Sequence, residues 1–176
     1  MTLATLKTDR LTLRPLCMND FENLFLLRSD ESSSNFNDSV PDHSQEETLE
    51  YMTKLLKDIE NGRYWKWAID LEGALIGTIA LWNYDPLLES AEFGYTLRSP
   101  YRKNGYMSES VQRILTYGHQ DLGIKHLYVY TESQNERSIN MMDRLGFIYQ
   151  GSIDEEGAHK PKTFHYNVYR HTHDET

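Results

Sequence analysis

The sequence predicts an α/β (α+β) protein built on a single mixed, mostly antiparallel sheet of about seven strands flanked by helices. Segments with the two-residue alternation of strands and segments with helical periodicity follow each other in the order β-α-α-β-β-β-α-β-α-β-β. No linker divides the 176 residues. This length suits one domain, which is expected to span residues 1–176.

The first half of the chain opens with one strand and two helices. Residues 10–16 alternate polar and apolar side chains and predict a strand, and residues 19–27 follow as a helix. Ser44 and Glu47 have the spacing of a capping box, which places Ser44 at the N-cap of a second helix that ends near residue 61. The strand patterns that come next, expected to form an antiparallel meander, lie at 64–71, 75–82 and 90–97.

Helices and strands alternate in the second half. Residues 106–122 and 136–145 carry apolar side chains at helical spacing, and Gly146 stands at the C′ position of the second helix. A charged loop is expected at 154–162, before the last strand. The strand patterns of this half lie at 125–131, 147–153 and 163–169.

Composition and charge exclude several classes of protein. The net charge is −9, from 18 Lys and Arg against 27 Asp and Glu, which argues against a general nucleic-acid binder. The aromatic fraction of 12% argues against a disordered chain. Cys17 is the only cysteine, so an internal disulfide is excluded and a reducing, cytoplasmic location is expected. The longest apolar run falls well short of the ~20 residues of a membrane span, and residues 1–7 do not resemble a signal peptide.

A basic loop between a strand and a helix is the first candidate binding site. It contains Arg102, Lys103 and Gly105, and the helix begins at Tyr106. Free N–H groups at a helix N-terminus bind anions, and a glycine lets the backbone approach them closely. The loop therefore fits a pyrophosphate. On this segment alone, an ordinary strand-to-helix turn is the more common explanation, and neither a Walker loop nor a Rossmann turn is present.

A second strand–loop–helix segment, 128–147, changes the interpretation. Together the two segments resemble the GCN5-related N-acetyltransferase (GNAT) superfamily. The pyrophosphate motif of that family is matched by Arg-Lys-Asn-Gly-Tyr-Met at 102–107, and a later motif by 135–138 with Leu-Gly-Phe at 145–147. The resemblance covers nearly the whole chain and implies the GNAT fold. The segments typical of the branch with the ribosomal-protein alanine N-acetyltransferases are 8–15, 76–78 and 92–95.

The resemblance implies acetyl-CoA as the donor, a primary amine as the acceptor and no metal. In the family, a backbone N–H of the strand before the basic loop, here near Thr96 and Leu97, faces the thioester oxygen. The strand end and Asn135 would bind the pantetheine arm, and the basic loop would bind the pyrophosphate. Met107 departs from the Gly or Ala that the family prefers there. The cofactor-binding residues expected on this basis are Leu97, Ser99, Arg102, Lys103, Asn104, Gly105, Tyr106, Met107, Ser108 and Asn135.

Glu92 and Ser138 are the expected catalytic residues. Glu92 lies in the strand that enters the site and is the candidate general base, with Glu132 and Tyr130 as rivals from the neighbouring strand. Many relatives carry a Tyr acid where this chain has Met142, so Ser138 is the candidate acid. Simpler explanations stay open for both, since Glu92 could be a structural hydrogen-bond acceptor and Ser138 a first-turn serine that binds a backbone group.

The remaining aromatic and histidine residues suggest smaller roles. Phe36, Trp82 and Tyr84 are alternatives for lining an acceptor pocket, although the tryptophans are most simply core or sheet-face residues. His171 and His173 are expected to be solvated on a frayed C-terminus together with Asp174 and Glu175.

The identity of the acceptor stays open in the sequence. The resemblance favours the N-terminus of a basic protein such as a ribosomal protein, while polyamines and aminoglycosides also suit an acidic enzyme. Met107 and Met142 favour instead a non-catalytic acyl-CoA-binding or sensor module, and the basic loop alone also suits a nucleotide-binding regulatory domain. Neither nucleic acid nor a membrane is expected as a partner, and the chain is expected to be a monomer or a homodimer.

Overall fold

The computed structural model describes residues 3–173, and within this range eight strands form one sheet that four α-helices flank. Residues 1 and 2, part of the segment searched for a signal peptide, lie outside the described residues, as do Asp174 and Glu175. The elements are β1 (Leu6–Lys7), β2 (Thr12–Pro15), α1 (Phe21–Arg28), α2 (Gln45–Glu60), β3 (Trp65–Leu71), β4 (Ala74–Asp85), β5 (Ser90–Leu97), α3 (Tyr106–Gln120), β6 (His126–Glu132), α4 (Glu136–Arg144), β7 (Ile148–Glu156) and β8 (Thr163–Thr172).

The sheet has the strand order β1-β2-β3-β4-β5-β6-β8-β7. All neighbouring strands run antiparallel except β5 and β6, which run parallel. The prediction of a mixed, mostly antiparallel sheet is confirmed, as is the meander of β3, β4 and β5. The additional strand is β1, whose two residues pair Leu6 with Leu13 and are too few to show an alternation.

The predicted helix ends are largely confirmed. The Ser44 hydroxyl accepts a hydrogen bond from the Glu47 N–H at 3.3 Å and begins α2. The Glu47 carboxylate accepts from the N–H of His43 at 2.7 Å instead of from Ser44, so the capping box is half formed. Gly146 follows α4 with φ of 80°, the left-handed conformation expected at C′.

Two apolar layers cover the two faces of the sheet. One layer lies between the sheet and α3 and α4, and it includes Trp67, Ile79, Phe93, Ile114 and Met142. The other lies between the sheet and α1 and α2, and it includes Leu24, Leu27, Met52, Leu55 and Ala68. The site described below lies at the centre of this sheet, beside β5 and β6. No helix among residues 3–173 is long and apolar enough to cross a membrane.

The C-terminal strands extend further than predicted. β7 continues to Glu156, so the charged residues 154–156 belong to a strand and not to the expected loop. β7 is an edge strand with nearly all side chains exposed, which leaves no apolar alternation in the sequence. β8 continues to Thr172, and the His171 ring packs edge-on against Phe147. The expectation of a frayed, solvated terminus at His171 was therefore wrong, because aromatic packing and strand pairing hold it.

Candidate active site

The parallel strands β5 and β6 part in the middle of the sheet. They pair only from Ser90 with His126 to Glu92 with Tyr128, although both strands continue beyond these residues. Beyond the last pair, β5 stays bonded to β4 and β6 stays bonded to β8. We refer to the opening between β5 and β6 past Glu92 and Tyr128 as the cleft.

The backbone of β5 directs alternate N–H groups into the cleft. The Arg98 N–H donates to the Ile76 carbonyl of β4 at 2.9 Å, and the Glu89 carbonyl accepts from the His126 N–H at 3.0 Å. Since successive strand residues alternate in the direction of their hydrogen bonds, Tyr95 and Leu97 face the cleft and Thr96 faces β4. Of the two residues near which the thioester-facing N–H is expected, Leu97 directs its N–H into the cleft, as does Tyr95, and Thr96 does not.

A pair of hydroxyl groups lies at the cleft. The Ser138 hydroxyl, in the first turn of α4, lies 2.7 Å from the Tyr95 hydroxyl. The Asn135 side chain caps α4 by accepting from the Ser138 N–H at 3.3 Å, which positions that turn. Burial raises the pKa of Tyr95 to about 12, although its hydrogen bond with Ser138 opposes the shift. The Tyr95 phenol is therefore protonated at neutral pH, and because one hydroxyl of the pair donates to the other, the second O–H is left to donate to another group.

Sequence reasoning selected Ser138 and Asn135 but missed Tyr95. Met142, at the position of the family's usual tyrosine, is fully buried in the core, so it offers no group to the cleft. Tyr95 instead brings a phenol to Ser138 from β5. The sequence did contain a signal for Tyr95. It lies between Phe93 and Leu97 on the core-facing side of its strand, and a buried phenol needs a polar partner.

Glu92 lies at the last paired position of β5, opposite Trp82 of β4. Its carboxylate accepts from the Trp82 indole N–H and from the Asn83 side-chain N–H, each at 3.1 Å. Both donors are neutral, and Glu92 forms no ion pair with a cation among residues 3–173. The two hydrogen bonds fix the Glu92 carboxylate at the start of the cleft, where a carboxylate can serve as a general base.

The two rival candidates for the base have other surroundings than Glu92. The Glu132 carboxylate is buried and accepts from the Gln134 N–H at 2.8 Å, within the turn before α4. Burial, together with the charge of Glu92, raises the pKa of Tyr130, which keeps its phenol protonated.

Two of the three aromatic residues suggested for an acceptor pocket, Trp82 and Tyr84, pack against different partners. Trp82 stacks on Tyr64 at 5.9 Å, whereas Tyr84 contacts Trp65 at 5.8 Å. The β4–β5 pairing is irregular between Trp82 and Asp85, with Asn83 at a φ of 50°, and this breaks the alternation along β4. Trp82 alone stays beside Glu92.

The basic loop presents a run of unbonded N–H groups. The N–H groups of residues 103–108 have no acceptor among residues 3–173. Lys103 and Gly105 both adopt left-handed backbone conformations, with φ of 67° and 79°. A left-handed lysine costs of order 1 kcal/mol, which other contacts of the loop must offset. The loop supplies the donors and the helix N-terminus that a pyrophosphate needs.

Arg102 is the loop residue whose side chain points back into the protein. Its Nε donates to the Leu97 carbonyl at 3.0 Å, and its two terminal nitrogens donate to Ser32 at 2.8 Å and to Ser33 at 3.2 Å. Ser99 likewise contacts Ser32, with 2.7 Å between their hydroxyls. These two expected cofactor-binding residues thus join the end of β5 to the segment that follows α1.

Arg10 and Glu109 hold the loop from its other side. Arg10 donates from Nη1 to the Asn104 carbonyl at 2.9 Å and forms a salt bridge of 2.7 Å with Glu109. Its guanidinium stacks 4.6 Å from the centre of the Tyr106 ring. Glu109 also accepts from Thr8. The sequence marked residues 8–15 as typical of one branch of the family without assigning them a role.

Met107 packs inward. Its half-buried side chain lies against the main core beside Tyr106, so the departure from Gly or Ala leaves the loop's N–H groups accessible. No group of three or more His, Cys, Asp or Glu among residues 3–173 is placed to hold a metal ion.

Comparison with known proteins assigns a family to this arrangement. The family described as acetyltransferase (GNAT) domain matches residues 10–148, most of the chain. The chain therefore belongs to the GNAT family, and it is an N-acetyltransferase of that family.

Individual relatives are distant. The uncharacterized N-acetyltransferase YoaA of Bacillus subtilis is 25% identical, with 93% of this chain and 94% of YoaA covered. The spermidine N(1)-acetyltransferase of Vibrio cholerae is 24% identical, with 84% of each chain covered. The solved structure of RimL, a ribosomal L7/L12 alpha-N-protein acetyltransferase in complex with coenzyme A, superposes with a TM-score of 0.85 at 20% identity, covering 96% of this chain and 98% of RimL. At that identity the superposition shows the shared fold.

Proposed function

We propose that this enzyme transfers an acetyl group from acetyl-CoA directly to a primary amine. The observation that carries the proposal is the parting of β5 from β6 next to a loop with six consecutive free N–H groups. The cleft offers backbone donors to an extended arm, and the loop offers donors to a pyrophosphate. RimL, a distant relative with the same fold, was solved with coenzyme A.

Each part of the site has a share in binding the donor. The N–H groups of residues 103–108 hold the pyrophosphate. The pantetheine arm lies along the cleft, where it is bound by Leu97 and by Asn135. Arg102 and Ser99 act indirectly, since their side chains fix the end of β5 to residues 32 and 33. The Tyr95 N–H, past the last paired residues of the cleft, donates to the oxygen that gains negative charge in the transition state.

The chain's own side chains handle the protons. Glu92 accepts a proton from the ammonium form of the acceptor, directly or through water, and frees the amine lone pair. The amine then attacks the thioester carbonyl carbon, so that the new C–N bond forms while the C–S bond breaks and the nitrogen loses its second proton to solvent. The hydroxyl pair of Tyr95 and Ser138 donates a proton to the leaving thiolate and recovers it from solvent.

No covalent enzyme intermediate is needed in this scheme. The one cysteine, Cys17, is exposed and lies beside Asp20, 3.5 Å from its carboxylate, at the start of α1. Met142 does not weigh against catalysis in this proposal, because Tyr95 brings a hydroxyl to Ser138 in place of the missing tyrosine of α4.

The acceptor is defined here as a primary amine and no further. Spermidine and ribosomal proteins are the acceptors named for distant relatives, and both present primary amines. We therefore assign a primary amine.

Ligand-dependent thermal stability, followed by thiol release, tests the proposal. Acetyl-CoA and CoA are expected to raise Tm, ATP to raise it much less, and thiol to be released when acetyl-CoA and a suitable amine are both present. Stabilisation by ATP but not by CoA would contradict the donor assignment. CoA binding without turnover of any amine would support the sensor alternative instead.

A further inference from the structure

Two neighbouring cavities lie on the face of the sheet that α1 and α2 cover. The inner cavity has a volume of about 70 Å³ and reaches the sheet at Thr78 and Thr96. The wider outer cavity has a volume of about 480 Å³ and opens beside α2. Arg28, Val40 and Tyr51 line both cavities, so the two adjoin each other.

The charges along the inner cavity are of one sign. Arg28 and Lys66 line it, and no Asp or Glu among residues 3–173 does. Asp42 neutralises Arg28 through two contacts of 2.5 and 2.6 Å. Lys66 forms no ion pair with a carboxylate in the described part of the chain, and its Nζ donates to the Tyr51 hydroxyl at 2.9 Å. The inner cavity therefore carries one positive charge that no carboxylate balances.

Hydroxyl groups add further donors. Because Tyr51 accepts from Lys66, its own O–H is left to donate to another group, and no such acceptor occurs among residues 3–173. Burial alone would raise the pKa of Tyr51, but the charges of Lys66 and Arg28 outweigh it and lower that pKa. The hydroxyls of Thr78 and Thr96 line the same cavity and also have no partner in this range. A cation surrounded by donors favours an anionic oxygen group.

The inner cavity adjoins the strand that carries the transfer chemistry. Thr96 stands between Tyr95 and Leu97, the residues whose N–H groups face the cleft. Lys66 pairs with Ala80, which pairs with Gly94, two residues from Glu92 and on the same face of β5. A group bound by Lys66 thus lies on the same face of the sheet as the general base.

We propose that the acetyl acceptor carries an anionic group, a carboxylate or a phosphate, near its amine, and that Lys66 and Tyr51 bind this group in the inner cavity. The inference rests on the acetyltransferase function proposed above. It runs against the expectation from the net charge of −9, which favours basic acceptors, because the local charge of the cavity has the opposite sign. The inner volume of about 70 Å³ is larger than the ~30 Å³ of a liquid water molecule and suits a small polar group.

Acceptors matched in length and different in charge test the inference. γ-Aminobutyrate and aminopropylphosphonate are anionic, γ-aminobutyramide is neutral and putrescine is cationic. Short peptides with Glu, Gln or Lys in the second position form a parallel series. The expected order of kcat/KM is anionic, then neutral, then cationic, and the carboxylate and phosphonate arms show which anion the site prefers.

Substitution of Lys66 identifies the residue responsible. Lys66→Gln is expected to lower kcat/KM for the anionic acceptors by roughly tenfold or more while leaving the neutral acceptors within about twofold, since one charged hydrogen bond is lost. Lys66→Arg is expected to keep most of the preference. Lys57→Gln, which removes an exposed lysine of α2, is the matched control and is expected to leave all rates unchanged.

Two kinds of failure are distinguishable. If CoA neither binds nor is released from acetyl-CoA, the proposed function itself fails. If CoA binds but anionic acceptors are not turned over, or are turned over no better than neutral and cationic ones, the inference about the acceptor is overturned while CoA binding stands. An equal effect of Lys66→Gln on all acceptors, with Tm unchanged, would also overturn it.

Discussion

Tyr95 contributes to the site through two different groups. Its backbone N–H faces the cleft, and its phenol lies 2.7 Å from the Ser138 hydroxyl. Burial raises the pKa of this phenol to about 12, which makes it a weaker acid than free tyrosine but a stronger one than serine. At the scale of single residues, this predicts that the two hydroxyls act as a pair in protonating the leaving thiolate.

Removing the hydroxyls one at a time tests the pair. Tyr95→Phe and Ser138→Ala are each expected to lower kcat by roughly tenfold to a hundredfold, because loss of a positioned proton donor removes general-acid catalysis. CoA binding, measured by calorimetry, is expected to change by less than about threefold. Since the two residues act together, the double variant is expected to be little worse than either single one. Additive losses would show that they act separately.

The pH dependence of Glu92→Gln tests the base. A base must be deprotonated to act, so kcat/KM of the wild-type enzyme is expected to rise with pH through an acidic limb. Glu92→Gln is expected to lower kcat/KM by about a hundredfold and to abolish that limb. Glu22→Gln, which removes an exposed carboxylate of α1, is the control. An unchanged limb in Glu92→Gln would assign the base to another group.

The sequence predicted some of these residues and missed others for a physical reason. Ser138 and Asn135 follow each other within one helical turn, so their relation is visible along the chain. Tyr95 and Ser138 are 43 positions apart and meet only because α4 packs across the cleft. Residues whose role depends on such packing are not apparent from local spacing.

At the scale of elements, the loop before α3 depends on the N-terminal segment. Arg10 binds the Asn104 carbonyl, the Glu109 carboxylate and the Tyr106 ring. Burial alone would raise the pKa of Glu109, but the hydrogen bonds from Thr8 and Arg10, and then the charge of Arg10, outweigh it and lower that pKa. The N-terminal segment therefore stabilises the conformation in which residues 103–108 present their N–H groups.

Loosening this contact is expected to weaken donor binding. Arg10→Ala and Glu109→Gln are each expected to raise the Kd for CoA by roughly threefold to tenfold, because the loop must be ordered on binding. Their kcat at saturating acetyl-CoA is expected to stay within about twofold, since neither residue touches the reacting atoms. Arg63→Ala breaks a largely exposed salt bridge with Asp58 and serves as the control. An unchanged Kd for CoA would remove Arg10 from this role.

The elements themselves were predicted unevenly. β5 was predicted from Ser90 to Leu97 as observed, because it alternates between two packed faces. β7 and β8 were both predicted to end too early. An exposed edge strand such as β7 needs no apolar alternation, so its end is not visible in the sequence, and the same holds for the end of β8, its partner strand. Hydrophobic pattern predicts buried strands well and exposed ones poorly.

At the scale of the whole molecule, α3 and β8 meet in a histidine cluster away from the cleft. The carbonyl of Ile124 lies 2.6 Å from Nδ1 of His119 in α3, so Nδ1 carries the proton. Nε2 of His119 then accepts from Nδ1 of His171 in β8 at 2.9 Å. His173 stacks on His119 at 5.2 Å. Burial, followed by the charges of His173 and His126, lowers the pKa of His119 despite the bond to Ile124.

This cluster predicts how stability depends on pH. The unfolded chain takes up a proton at His119 near its usual pKa of 6.5, whereas the folded protein resists it until a lower pH. Stability is therefore expected to fall as the pH drops below about 7, because the unfolded state binds more protons. His126, whose pKa burial also lowers, adds to the same trend.

Thermal unfolding across this pH range tests the prediction. His119→Gln is expected to show a smaller decrease in Tm between about pH 7.5 and 5.5 than the unaltered protein. His159→Gln, an exposed residue in the loop between β7 and β8, is expected to keep the full decrease. An equal decrease in all three proteins would show that His119 does not cause it.

The central claim concerns one site formed by the cleft and the basic loop. Its most direct test is stoichiometric transfer: purified enzyme, acetyl-CoA and the amine panel, with released thiol and acetylated amine measured in the same reaction. The account predicts one thiol released for each amine acetylated, with strong loss of both in Glu92→Gln and Tyr95→Phe. Thiol release without acetylated amine, or transfer unaffected by both substitutions, would contradict it.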